Sequence, residues 1–92
     1  MFNSLKAPAP SAALVYPNPA KGRFQLYHVV PEGVEHVQIS IKDALGKELF
    51  QKDLSTQGGV ADVECTAATG LHFLSLYYDG LLMETLKVHL IK

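Results

Sequence analysis

A chain of 92 residues, 48% of them apolar and 18% charged, has material for one packed domain and no room for a second core. Eight basic against nine acidic residues leave a net charge of -1, without the cationic field that nucleic acid or an anionic lipid surface demands, so nucleic acid is not an expected partner. The single cysteine, Cys65, excludes an internal disulfide and the common zinc modules, and no apolar run approaches the ~18 residues of a membrane-spanning helix, so membrane insertion is not expected.

Residues Met1 to Ala13 lack the cationic start and apolar run of a secretory signal. Lys6-Ala7-Pro8-Ala9-Pro10-Ser11-Ala12 is small and Pro-rich, a composition that favours solvated, extended backbone. Residues 1–13 therefore read as a linker ahead of a domain at 14–92. If the protein is exported, its signal lies elsewhere in a longer precursor.

The short apolar run Ala13-Leu14-Val15-Tyr16 reads as a first strand, stopped by Pro17-Asn18-Pro19, where two ladder donors are missing. Asn18 can bond nearby backbone and Gly22 supplies a permissive dihedral, so Pro17 to Gly22 is expected to form a rigid turn. From Arg23 to Val30 the chain alternates, with Phe24, Leu26, His28 and Val30 on the inward face. Residues Glu35 to Lys42 repeat the pattern, Val37, Ile39 and Ile41 inward and His36, Gln38, Ser40 and Lys42 outward. Asp43-Ala44-Leu45-Gly46 is a turn, and Lys47 to Asp53 returns as the partner strand through Leu49.

After the polar loop Ser55 to Gly59, Val60 to Cys65 sets Ala61, Val63 and Cys65 against Val60, Asp62 and Glu64. Thr66 to Gly70 interrupts. Leu71 to Tyr78 is rich in aromatic and branched residues, and Asp79-Gly80 is the dipeptide that type I′ hairpins prefer. Leu82 to Ile91 returns with Leu86, Val88 and Leu90 on one face. Seven short strands without a helical period predict an all-β, Ig-like sandwich of antiparallel strands.

Tyr16-Pro17-Asn18-Pro19-Ala20-Lys21-Gly22-Arg23-Phe24 and Ile41-Lys42-Asp43-Ala44-Leu45-Gly46-Lys47-Glu48 resemble the paired Y-P-N-P-x-x-G and D-x-x-G-[KR] signatures of type IX secretion system C-terminal sorting domains. Thr69-Gly70-Leu71-His72-Phe73-Leu74 stands in the place of that family's G-[VL]-Y segment, with His72 where Tyr is usual and expected to face inward. Asp79-Gly80 and Lys87 to Lys92 are similar to its final hairpin and basic-apolar ending. The motifs come in order, which makes the set far more specific than any one of them.

The resemblance implies a non-catalytic signal, found in Bacteroidota, with no metal, no cofactor and no catalytic residue. It implies an upstream covalent cargo that passes through the periplasm and is then taken by the outer-membrane translocon, with its shuttle and sortase-like components, to the cell surface or the medium. A sortase-like protease commonly removes such a domain, and Ala7 to Ala13 offers it accessible backbone. The sorting motifs carry over onto Pro17, Asn18, Pro19, Gly22, Asp43, Gly46, Lys47, Gly70, Lys87, Val88, Leu90, Ile91 and Lys92 as expected recognition residues.

Other readings of the same residues stand beside this one. His28, His36, His72 and His89 show no ligand spacing and read as ordinary surface or core histidines, and Cys65 as an inert buried thiol rather than a nucleophile paired with His72. Tyr27, Phe73, Tyr77 and Tyr78 would form the platform of an adhesive or carbohydrate-binding module, but cross-strand packing is the favoured reading, since aromatics are enriched in strands whatever they bind. The terminal strand is either an edge blunted by Lys87 and Lys92 or an address whose unpaired backbone joins a partner sheet, and such an edge also allows a strand-exchanged homodimer.

Overall fold

The structure, a computed structural model, describes residues 13–65 and 68–91. They form seven strands: β1 (Ala13–Tyr16), β2 (Arg23–His28), β3 (Val37–Asp43), β4 (Glu48–Leu54), β5 (Gly59–Glu64), β6 (Gly70–Tyr78) and β7 (Leu81–Leu90). All ladders are antiparallel, in a three-stranded sheet of order β1-β2-β5 and a four-stranded sheet of order β4-β3-β6-β7. The expected β-sandwich is what the chain forms.

Alternation builds the core because successive side chains of a strand point to opposite faces. Phe24, Leu26, Val63 and Cys65 come from the three-stranded sheet; Ile39, Ile41, Leu74, Leu76, Val88 and Leu90 face them from the other, all buried. Each fully buried Leu or Ile adds about 2 kcal/mol of transfer free energy. His72 is buried as expected, its Nδ1 2.9 Å from the Gly70 carbonyl. At the β6-β7 hairpin both turn residues have positive φ, Asp79 at 51° and Gly80 at 83°, as a type I′ turn requires.

Two expectations need correction, and a third gains a detail. The second strand ends at His28 rather than Val30, and Val30 packs on the core from the following loop. Ser40 points to the outer face as expected and is nevertheless buried there, because β3 is a central strand flanked by β4 and β6 and its Oγ donates to Glu48 Oε1 at 2.7 Å. Leu49 does not carry β4 onto the core: the register jumps from Ile41↔Phe50 to Lys42↔Glu48, leaving Leu49 as the extra residue of a bulge, 38% exposed, while Phe50 and Leu54 pack inward. Of the interruption expected at Thr66 to Gly70, residues 66 and 67 lie outside the described residues, as do Lys92 and residues 1–12 of the linker.

The two open sides of the sandwich are each linked across. Between β4 and β5, Lys52 Nζ donates to the Asp62 carbonyl at 2.7 Å. Between β1 and β7, the turn after β1 is bonded to the end of β7. A third link crosses the interior, where the Tyr78 hydroxyl donates to the Val29 carbonyl at 2.6 Å.

Candidate functional site: a turn clasped to the last strand

The turn that follows β1 begins with cis Tyr16-Pro17 and Asn18-Pro19 peptides and leaves through Gly22 at a φ of 75°. Its polar groups are spent on distant strands. Asn18 Nδ2 donates to the Lys87 carbonyl at 3.0 Å while Asn18 Oδ1 accepts from His89 N at 2.9 Å. Ala20, fully buried, extends the line: its N donates to the His89 carbonyl at 2.8 Å and its carbonyl accepts from Ile91 N at 2.7 Å, forming a parallel bridge to Leu90. Gly22 turns the other way and accepts from Cys65 N at 2.8 Å, tying β5 to the same corner. A carboxamide offers a donor and an acceptor side by side, so Asn18 stands in for a peptide unit of a neighbouring strand.

The second motif turn is organised by Asp43. Its Oδ1 accepts from Leu45 N and Lys47 N, both at 2.9 Å, its backbone N donates to the Lys47 carbonyl at 3.0 Å, and its own carbonyl accepts from Gly46 N at 3.0 Å. That leaves Leu45 94% exposed at the tip, beside Gly46 at a φ of 89° and an exposed Lys47.

The ladders bring these separated tracts together. Asp43 lies opposite His72, Gly70 opposite Leu90, and Arg23 opposite Glu64, so the starts of β2 and β6 and the ends of β3, β5 and β7 share one end of the sandwich. At that end sit the Pro17–Gly22 turn, the Asp43–Lys47 turn, Gly70 and the Lys87–Ile91 segment. Pro17, Asn18, Pro19, Gly46, Lys47, Lys87 and Ile91 are exposed, Gly22, Asp43 and Gly70 half-buried, and Val88 and Leu90 buried in the core, where they act on a partner only through the shape they hold. The close of β7 is not a bare backbone edge, because Lys87, His89 and Ile91 already spend outward groups on Asn18 and Ala20.

The family of secretion system C-terminal sorting domains matches the chain over residues 14–85, well over half its length. The chain belongs to that family. It is accordingly a sorting signal for type IX secretion, a class that directs attached cargo out toward the cell surface or the medium and is not, in general, catalytic. The match covers both motif turns of this sorting domain and stops at Thr85, so the Lys87–Lys92 tract lies beyond it. No curated protein and no solved structure matches the chain.

Glu48 and Tyr78 of the sorting domain have displaced pKa values. The Ser40 hydroxyl, then the Gln51 side chain and the nearby Lys42 charge, hold the Glu48 carboxyl below its ordinary value. Burial, and then the Glu84 charge, push the Tyr78 phenol up, which keeps its hydroxyl a donor to Val29.

The residues that suggested other chemistry are scattered. Tyr27 stands on the outer face of the three-stranded sheet, Phe73 and Tyr77 on that of the four-stranded sheet, and Tyr78 is in the core, so the four aromatics form no common platform. Among the described residues no three His, Cys, Asp or Glu side chains converge as a metal site. Cys65 is buried. Sequence reading identified the two motif turns but missed the bonds between Asn18 and β7, which span about seventy residues of chain, and those of Asp79, whose Oδ1 accepts from Glu35 N at 3.0 Å and His36 N at 2.9 Å.

Proposed function

We propose that the end of the sandwich carrying both motif turns and the close of β7 is the surface by which the outer-membrane translocon takes up cargo joined ahead of residue 14. One observation carries the reading: three tracts far apart in sequence, each resembling a sorting signature, converge on one end, and two of them, the Pro17–Gly22 turn and the close of β7, are bonded to each other through Asn18 and Ala20. A folded, shaped end is a label that a partner can inspect only once the domain is complete. On this reading the cargo crosses the periplasm, shuttle components collect it at the translocon, and a sortase-like protease cuts within Ala7 to Ala13, of which residues 7–12 lie outside the described residues. Lys21, Lys47 and Lys87 are exposed at this end and, among the described residues, none of their side chains forms a hydrogen bond or ion pair, so they suit electrostatic contact with a partner.

The test fuses residues 12–92 behind a periplasmic reporter in a type IX-competent cell. The reporter should reach the surface, and the triple variant Lys21→Glu, Lys47→Glu, Lys87→Glu should export at least several-fold less while melting at the same temperature. Retention of the unaltered fusion in the periplasm would refute the reading.

A further inference from the structure

The outer face of the four-stranded sheet changes character from one end to the other. Paired residues of an antiparallel ladder share a face, so Lys42, Phe73 and Lys87 form one row across β3, β6 and β7, with Glu48 of β4 at its start. At a strand spacing of about 4.8 Å the two lysines stand roughly 10 Å apart, with the half-buried Phe73 between them. The next row toward the motif turns is Leu71 and His89. There the Asn18 clasp borders the face, and Asn18, Pro19, Leu71, Lys87 and His89 line a hollow of about 280 Å³.

The charges of this face are unequally answered. Glu48 stands opposite Lys42, feels its charge, and accepts from the Ser40 hydroxyl. Asp53, the other carboxylate that these strands present outward, lies at the far end and accepts from the Gln38 amide. The neighbours of Lys87 on this face are Phe73, Thr85 and His89, and among the described residues its ammonium is in no ion pair. A cation left unanswered beside an apolar hollow selects a ligand that carries a carboxylate next to an apolar group.

From this geometry, and resting on the proposed sorting function, we propose that Phe73 and the hollow beside it receive an acidic segment of the export machinery. A carboxylate of that segment reaches the Lys87 ammonium while an adjoining apolar side chain packs on Leu71 and Pro19. The site borders the clasp, so a partner that reads the Pro17–Gly22 turn meets it in the same encounter. An anionic lipid surface suits the face less well, because such surfaces are held by clusters of about four to eight basic residues, and here Glu48 answers one of the two lysines. A second copy suits it less well too. It would offer Asp79 beside the exposed Leu81 and Leu82, but that carboxylate already caps Glu35 N and His36 N. Asp79 also lies at the opposite end of the sandwich, so the contact would run head to tail, building rings or open chains instead of a closed pair.

The experiment reads the sign of charge where the fold is indifferent to it. His89 is exposed and bonds to the clasp through its backbone, so His89→Lys and His89→Glu both leave those bonds in place. In the reporter fusion His89→Glu should export at least tenfold less than His89→Lys, with both variants melting alike. Val60→Glu, on the outer face of the other sheet, should export as the unaltered domain does. Leu71→Glu against Leu71→Lys repeats the comparison inside the hollow if either His89 variant unfolds. Benzoylphenylalanine in place of Phe73 should photo-crosslink in the same cells to an export component, at a segment rich in Asp or Glu. Equal export of the two His89 variants would overturn the inference and leave the sorting function standing. An adduct on lipid, on a second copy or at a segment without carboxylates would do the same, whereas retention of the unaltered fusion would overturn both.

Discussion

The Asn18 side chain and the His89 backbone are hydrogen-bond partners across almost the whole chain, Oδ1 accepting from His89 N at 2.9 Å while the amide of the same side chain donates to the Lys87 carbonyl. A side chain that serves two peptide groups at once tolerates little change. Asn18→Asp keeps the acceptor, loses the donor, and points a carboxylate oxygen at the Lys87 carbonyl; Asn18→Ala loses both bonds. At about 1 kcal/mol for each exposed bond, Asn18→Ala should cost about 2 kcal/mol. Asn18→Asp should cost at least as much as the loss of one bond, because repulsion is added to it. Urea denaturation at pH 7 measures both, and a variant as stable as the parent would show that the clasp contributes nothing.

Gly58 and Gly46 share a backbone conformation, with φ values of 78° and 89°, and differ in their surroundings. A Cβ on Gly58 would lie 2.9 Å from the His28 carbonyl and 3.3 Å from Val30 N, both backbone atoms, whereas at Gly46 nothing lies within 4 Å. Gly46→Ala should therefore cost only the left-handed strain of about 1 kcal/mol. Gly58→Ala must also push the end of β2 away from the loop and should cost about 2 to 4 kcal/mol. Thermal melting of the pair tests the difference, and equal destabilisation would show that the loop yields freely.

Much of the fold was legible in local patterns: β2 and β3 follow from the alternation of Phe24/Leu26 and Val37/Ile39/Ile41, and the β6-β7 hairpin from Asp79-Gly80, although its ladder shifts register between Leu76 and Tyr77. Alternation failed at Leu49 because a bulge changes strand parity by one residue, and Leu49-Phe50 offers an apolar side chain to either face. It placed Ser40 on the outer face correctly but did not show its burial there, which depends on which strands flank it, a property of sheet order rather than of local sequence. The motif turns were visible from their Pro, Asn, Asp and Gly residues. That Asn18 and Ala20 bind β7, and that the tracts meet at one end, depends on the register of non-local pairs, which no local pattern encodes.

Asp79 has two duties that substitution can separate. Its φ of 51° belongs to the hairpin, and its carboxylate caps Glu35 N and His36 N in the loop that enters β3. Asp79→Gly keeps the turn conformation at no steric cost and abolishes the cap, while Asp79→Asn keeps both the tolerance for positive φ and an acceptor oxygen. We expect Asp79→Gly to lose about 1 to 2 kcal/mol and Asp79→Asn less than half of that. Amide hydrogen exchange should localise the difference, with Glu35 and His36 losing protection in Asp79→Gly alone. Unchanged protection at those two amides would contradict the capping role.

The Ser40 and Glu48 pair gives the sandwich a pH dependence with a definite sign. The Ser40 hydroxyl, buried on a central strand, donates at 2.7 Å to the Glu48 carboxylate and is the largest cause of its lowered pKa, ahead of Gln51 and Lys42, with partial desolvation opposing them. A carboxyl whose folded pKa lies below its unfolded value stabilises the fold fully above the unfolded value, and that stabilisation is lost as pH falls through the folded one. Ser40→Ala removes the principal cause, so the Glu48 titration midpoint should move up toward the ordinary 4.5. The stability gap between Ser40→Ala and the parent should then narrow as the solution is taken from neutral pH to below the carboxylate range, because protonated Glu48 no longer draws on the hydroxyl as an acceptor anion. Carbonyl-detected NMR titration reads the midpoint and urea denaturation across the same pH series reads the gap. A midpoint unmoved by Ser40→Ala would mean that Gln51 and Lys42, rather than the buried serine, hold the carboxyl down.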